Sequence, residues 1–165
     1  MSVETNSGCE LCETDGGDVI FRTEKWRVVR VGAPDGDAFR GFCRVIWNAH
    51  VKEMTDLVPV DRNELMGAVF NVEAALRASL SPQKINLASL GNLTPHLHWH
   101  VIPRFMDDCA YPKPIWAANL TAASSLGTLA TTQSPDAPDV IGTKAANVAQ
   151  GGQWTHALRR ALESV

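Results

Sequence analysis

Three of the five histidines fall within five residues, in the run His96-Leu97-His98-Trp99-His100. In a β-strand alternate side chains point to the same side, so this spacing puts three imidazoles on one face. Leu97, Trp99 and Val101 fall on the other, where they can pack into a core. Imidazole titrates closest to neutrality of all side chains. A row of imidazoles can therefore offer a nucleophile, proton donors and hydrogen bonds to a phosphate near pH 7. A single core histidine usually needs no explanation beyond a hydrogen bond. Three at period two are harder to read as packing, because each buried ring needs its own partner. A metal site is the rival reading, since His-x-His on a strand is a common ligand pair; built on this row alone it needs a third ligand and an open position.

Other groups that could do chemistry lie close by. The turn Leu90-Gly91-Asn92 can present backbone N–H groups and a side-chain amide to an anion. Arg104 follows the row. Near the start of the chain, Cys9-Glu-Leu-Cys12 has the spacing of a metal-binding pair, although cysteines also sit in cores as small hydrophobes. Cys43 and Cys109 have no evident partners. Trp26, Trp47 and Trp116 suit either a base pocket or, more simply, a core.

The elements that must position these groups can be read from pattern. Two apolar runs, Asp18–Arg22 and residues 26–31, flank Thr23-Glu24-Lys25 and read as a β-hairpin. Residues 32–40 read as a loop on their Gly, Pro and Asp content, and residues 41–48 as a third strand. A helix begins near Asp61, a candidate N-cap with Glu64 completing a capping box. Leu65, Val69, Val72, Leu76 and Leu80 recur at helical spacing until Ser81-Pro82 ends the run. Residues 84–90 read as a strand, and residues 97–102 as another, bracketed by Pro95 and Pro103. After Trp116 the chain turns rich in Ala, Ser, Thr, Gly and Pro. Residues 1–116 thus form the expected domain. Residues 117–165 are a low-complexity extension ending in a short helix over 154–162.

Bulk properties narrow the setting. A net charge of −3 with a pI near 5.9 excludes a polycation built to bind nucleic acid, so any anion must be met by a local cluster of donors. No apolar run approaches 18 residues, and the N-terminus lacks the basic and apolar regions of a secretory signal. Four cysteines without such a signal point to thiols in a reducing compartment. The expectation is a cytoplasmic protein without a membrane partner.

The run His96–His100 with Val101 and Ile102 fits every position of His-φ-His-φ-His-φ-φ, φ being hydrophobic, and so resembles the histidine-triad (HIT) superfamily. The order of strands and helix, the Gly91-Asn92 turn and Pro103-Arg104 extend the likeness over roughly residues 9–105. The resemblance implies an α+β fold: an antiparallel sheet of about five strands with one long helix, here carrying a C-terminal extension, and a homodimer. It implies that His98 attacks the α-phosphorus of a nucleotide to form a nucleotidyl-imidazole, which water or another acceptor resolves. His100 would hydrogen-bond the phosphate or leaving group, and His96 would orient the site.

Relatives usually carry Gln four residues before the first triad histidine, followed by Ser or Thr, with an Asn or Gln about seven residues further ahead. Here these positions are Asn92, Leu93 with Thr94 beside it, and Asn86, six ahead of Asn92. The departures bear on leaving-group preference more than on reaction type. Asp35 and Asp37 occupy the loop where relatives contact the ribose, so either could accept a ribose hydroxyl or simply be solvated. Some branches, including one resembling galactose-phosphate uridylyltransferase, hold zinc with an N-terminal Cys-x-x-Cys, a histidine after the third strand and the first triad histidine. Cys9, Cys12, His50 and His96 fall on those positions, implying structural zinc and no catalytic cofactor.

Three function classes remain open from the sequence. The first is a nucleotide hydrolase or transferase acting through His98 on a dinucleoside polyphosphate or nucleoside phosphoramidate. The second is a zinc-dependent metalloenzyme using the histidine row as ligands. The third is a nucleotide-binding or scaffold protein with little turnover.

Overall fold

A computed structural model describes residues 6–119 and 143–163. Five strands form one antiparallel sheet in the order β1-β2-β3-β5-β4. β1 (Asp18–Arg22) and β2 (Trp26–Arg30) make the expected hairpin. Thr23 closes it: its N–H donates to the Trp26 carbonyl at 2.8 Å, and its hydroxyl accepts from the Trp26 N–H at 3.0 Å. β3 (Cys43–Trp47) pairs with β2 and with β5 (His98–Arg104), and β4 (Lys84–Ala88) closes the other edge. Two short helices, α1 (Glu10–Glu13) and α2 (Asp35–Ala38), interrupt the loops. The segment 32–40 is therefore a loop built around one helical turn.

One face of the sheet carries the main core. Val28, Val45, Leu97 and Val101 pack against Leu65, Val69, Val72 and Leu76 of the long helix α3 (Pro59–Leu80). The start of α3 differs from the sequence expectation. Val58 is the N-cap and Pro59 the first helical residue, so Asp61 caps nothing and Glu64 completes no capping box. Proline has its φ preset for a helix and lacks the N–H that a first turn leaves unpaired, so it wins the first position. Asp61 and Glu64 instead take the Lys25 ammonium, at 2.9 and 2.8 Å, and Glu64 also accepts from the Trp26 indole. This ties the hairpin to the helix start. Ser81, in the left-handed region at φ 48°, ends α3.

β5 also runs further than expected, through Pro103, which pairs with Ile85. The Arg104 carbonyl accepts from the Gln83 N–H on the β4 side. Pro103 therefore turns its nitrogen the other way, where β3 has already stopped pairing at Val101. The missing donor breaks no ladder bond.

The C-terminal helix, α4 (Thr143–Glu163), is longer than the expected 154–162. Trp154, Leu158 and Leu162 complete the same core beside α3, and the Arg159 guanidinium donates to the Ile20 carbonyl of β1 at 2.9 Å. Residues 120–142 of the low-complexity segment lie outside the described residues. No helix among the described residues is long and apolar enough to cross a membrane.

Candidate functional site

The opposite face of the sheet carries the polar groups. Strand register places Arg44 across from His100, Ile46 across from His98, and Ala88 on the far side of His100. All three triad histidines are buried, yet their side chains meet different surroundings.

His98 Nδ1 donates to the His96 carbonyl at 2.6 Å. A carbonyl can only accept, so this bond fixes the proton on Nδ1 and leaves the lone pair on Nε2. His98 Nε2 lies 3.1 Å from His100 Nε2, and the two rings meet edge to face at 4.8 Å. With His98 Nε2 as acceptor, His100 Nε2 carries the proton. His100 Nδ1 is buried without a partner among the described residues. Burial lowers the pKa of His98; the His96 carbonyl opposes this, and the Arg44 charge lowers it further. Burial, then His98 and Arg44, hold His100 down to about 3. Both rings are therefore neutral at physiological pH. Trp116 stands 5.2 Å from His100 with its ring edge-on, and it borders a cavity of about 520 Å³ together with Asn86, Ile102 and Ile115.

His96 looks elsewhere. Its Nε2 donates to the Trp47 carbonyl at 2.7 Å, which leaves the lone pair on Nδ1. That atom faces the Cys9 and Cys12 sulfurs at 3.4 and 3.5 Å, and His50 Nδ1 faces Cys12 at 3.4 Å. The ligand atoms of Cys9, Cys12, His50 and His96 all lie within 4.8 Å of one another. Around a tetrahedral zinc, bonds of about 2.3 Å to sulfur and 2.0 Å to nitrogen set the ligands roughly 3.5 Å apart. The group therefore fits a metal in donor type, count and spacing. The carbonyl behind His96 is the kind of outer partner that fixes a ligand's tautomer. Neither His98 nor His100 belongs to a metal-binding group among the described residues.

Arg27 holds this cluster in place, a role the sequence reading missed. It is buried on β2 and donates to the carbonyls of Leu11, Thr14 and Asp15 and to Asn48 Oδ1, at 2.7–3.3 Å. These bonds fasten α1, and with it both cysteines, to the sheet. The signal was a charged residue set between the apolar Trp26 and Val28 of a strand.

The remaining expected residues scatter. Asn86 shares the sheet face of His100, but its Oδ1 accepts from Arg104 Nη1 at 2.8 Å. Arg104 itself is buried and fully engaged, with Asp108 at 2.8 and 3.0 Å and the Lys113 carbonyl at 2.8 Å, so it braces the segment that carries Trp116. Asn92 is exposed in the loop before the row, and Leu93 is 99% exposed beside it. Thr94 is partly buried and accepts the His96 N–H at its carbonyl, 2.8 Å away. Among the described residues, no side-chain hydrogen bond joins these three to the imidazoles. Asp37 is exposed on α2 and lines a separate cavity of about 560 Å³ with Arg30, Arg40 and Arg159. Trp26 and Trp47 belong to the core, and His156 is exposed on α4.

A family model described as the HIT domain matches residues 16–107, more than half of the chain. Cys9 and Cys12 lie just ahead of the matched span. Among solved structures, a histidine triad protein from Bradyrhizobium japonicum is similar at 24% identity, with 98% of each chain covered and a TM-score of 0.63. A histidine triad (HIT) protein from Sinorhizobium meliloti is similar at 19% identity over 89% of this chain and 90% of that one, with a TM-score of 0.59. A hypothetical histidine triad nucleotide-binding protein from Sulfolobus tokodaii is similar at 16% identity over 90% and 85%, with a TM-score of 0.53. At these identities the likeness speaks to the fold. No curated protein matches.

Proposed function

Because the chain belongs to the HIT domain family, whose membership supports a nucleotide-binding, hydrolase-type function, we propose that it cleaves a nucleotide at the α-phosphate through a covalent intermediate on His98. The observation that carries this reading is the 2.6 Å bond from His98 Nδ1 to the His96 carbonyl, which leaves Nε2 as a neutral lone pair beside a second imidazole. Nε2 forms a bond to the α-phosphorus while the bond from phosphorus to the leaving oxygen or nitrogen breaks. The His100 Nε2–H supports the phosphate oxygens or the leaving group as charge develops there. Water then attacks phosphorus, the P–N bond to His98 breaks, and the nucleoside monophosphate leaves. Substrates of this kind include dinucleoside polyphosphates and nucleoside phosphoramidates.

Cys9, Cys12, His50 and His96 would hold zinc. When bound there, the ion would supply rigidity, pinning α1 and the first triad histidine to β3. The reading that makes the whole row a catalytic zinc site is less favoured, because His98 spends Nδ1 on a carbonyl and points Nε2 at His100. The same proposal takes residues 1–116 as the catalytic domain of a cytoplasmic homodimer with 117–165 as its extension.

The test is release of nucleoside monophosphate from a diadenosine polyphosphate and from adenosine phosphoramidate, by wild type and by His98→Ala. Release that disappears in the variant, with a trapped phospho-histidine in the wild type, supports the reading. Ligand binding without release by wild type would leave the binding or scaffold role in its place.

A further inference from the structure

Three arginines project from the site face of the sheet: Arg27 on β2, Arg44 on β3 and Arg104 on β5. Two of them are satisfied by the protein. Arg27 has four acceptors, and Arg104 pairs with Asp108 in addition to Asn86 and a carbonyl. Arg44 is different. Among the described residues its Nε is buried with no partner, and its one hydrogen bond, from Nη1 to the Gly16 carbonyl, is long at 3.5 Å. It makes no ion pair among the described residues. A guanidinium offers five donors in a planar fork that matches phosphate, so most of this fork is unspent. The side chain is only partly buried, and the register sets it directly opposite His100 and two residues from Ile46, which faces His98. An under-satisfied cation beside two neutral imidazoles suits a site completed by an anionic ligand.

We propose that Arg44 is a substrate-holding residue of this site, its guanidinium donating to the phosphate oxygens of the nucleotide that His98 attacks. The proposal rests on the nucleotidyl reading above and names the group that supplies the positive charge for it. The 92–94 loop, where the resemblance placed amide and hydroxyl donors, is then not the principal anion holder. A cation on the sheet takes that part, and it favours substrates by their phosphate charge rather than by their base.

The experiment compares binding of the 5′-monophosphates of adenosine, guanosine, cytidine and uridine with binding of the four parent nucleosides. It is done by calorimetry on the full chain, for wild type, Arg44→Ala, Arg44→Gln and Arg44→Lys, each checked for metal content and Tm. Wild type should prefer a nucleotide to its nucleoside, and the preference should weaken with added salt. Arg44→Ala should reduce that preference by about 10- to 100-fold, the scale of a hydrogen bond to a charged group. Nucleoside affinity should stay unchanged, and Arg44→Lys should restore part of the preference. If Arg44→Ala lowers Tm, Arg44→Gln carries the test, since it can still donate to Gly16 but lacks the charge. An undiminished nucleotide preference in Arg44→Gln overturns the role of Arg44 while leaving the His98 chemistry standing. Failure of wild type to bind any nucleotide overturns the nucleotidyl reading and this proposal together.

Discussion

The two faces of the sheet are made by alternate residues of the same strands, and they do different work. The helix-covered face is almost wholly apolar: Val28, Val45, Leu97 and Val101 meet α3 and α4. The other face interleaves Val29, Ile46 and Ile102 with Arg27, Arg44, His98, His100 and Arg104. A period of two lets one strand serve both. The helix face supplies stability through buried area. The open face carries groups that cost stability unless paired, and it keeps them because their positions are fixed from behind. The comparison implies that turnover and folding should respond to different substitutions, and four measurements test how cleanly they separate.

The largest effect should come from His98→Ala. Loss of an enzyme nucleophile lowers turnover by roughly 10⁴- to 10⁶-fold, and the variant should melt close to wild type, as its ring bonds only the neighbouring His96 carbonyl and the His100 ring. A fall in Tm as large as that of a core substitution would show that the two faces are not separable.

Next comes the metal cluster, which should join the two faces. Cys9→Ser or Cys12→Ser should abolish bound zinc, measured by elemental analysis, and lower Tm more than any single core truncation. Activity should fall with it, because His96 supplies both a ligand atom and the carbonyl that orients His98. Zinc-free wild-type protein with unchanged Tm would refute a structural ion.

Leu158→Ala probes the core from the extension. Leu158 is fully buried on α4, so truncation should cost about 3 kcal/mol, or roughly 10 °C in Tm. Turnover at low temperature should hardly change. An unaltered Tm would mean that α4 contributes little to the domain.

The smallest effect concerns acid. His100 is held at about 3, below the roughly 6.5 of an unfolded imidazole. The unfolded chain therefore takes up a proton that the folded one refuses. Stability is full above pH ~6.5 and declines as pH falls toward about 3. Burial lowers His96 and His98 in the same sense. Asp108, which burial alone would raise, is held low by Arg104, so its stabilisation is also lost on acidification, at lower pH. His100→Asn should make urea-unfolding free energies fall less steeply between about pH 6 and 4. An equally steep decline in the variant would assign the acid lability to other groups.

Much of this was legible in the sequence. The hairpin, the third and fourth strands, the body of α3 and the side of β5 that packs all follow from apolar periodicity, which reports burial directly. Boundaries were less visible where two local rules competed. Pro59 displaced Asp61 at the start of α3, and Pro103 stayed in β5 because its neighbour on that side had ended. The start of α4 was hidden in a segment of small residues with no clear apolar period.

The sequence by itself determined that three imidazoles share a face, because residue type and spacing carry that information, while the match of Cys9, Cys12, His50 and His96 to a zinc set came from the resemblance. Only the tertiary structure divided the row, turning His96 to the sulfurs and leaving His98 and His100 to each other. The cause lies in carbonyls of Trp47 and His96, which choose the free nitrogen of each ring. Backbone acceptors have no sequence signature. For the same reason the sequence could not distinguish Arg27 and Arg104, both satisfied, from Arg44, which is not. Which arginine is left with donors to offer depends on the carbonyls and carboxylates that the fold brings within reach.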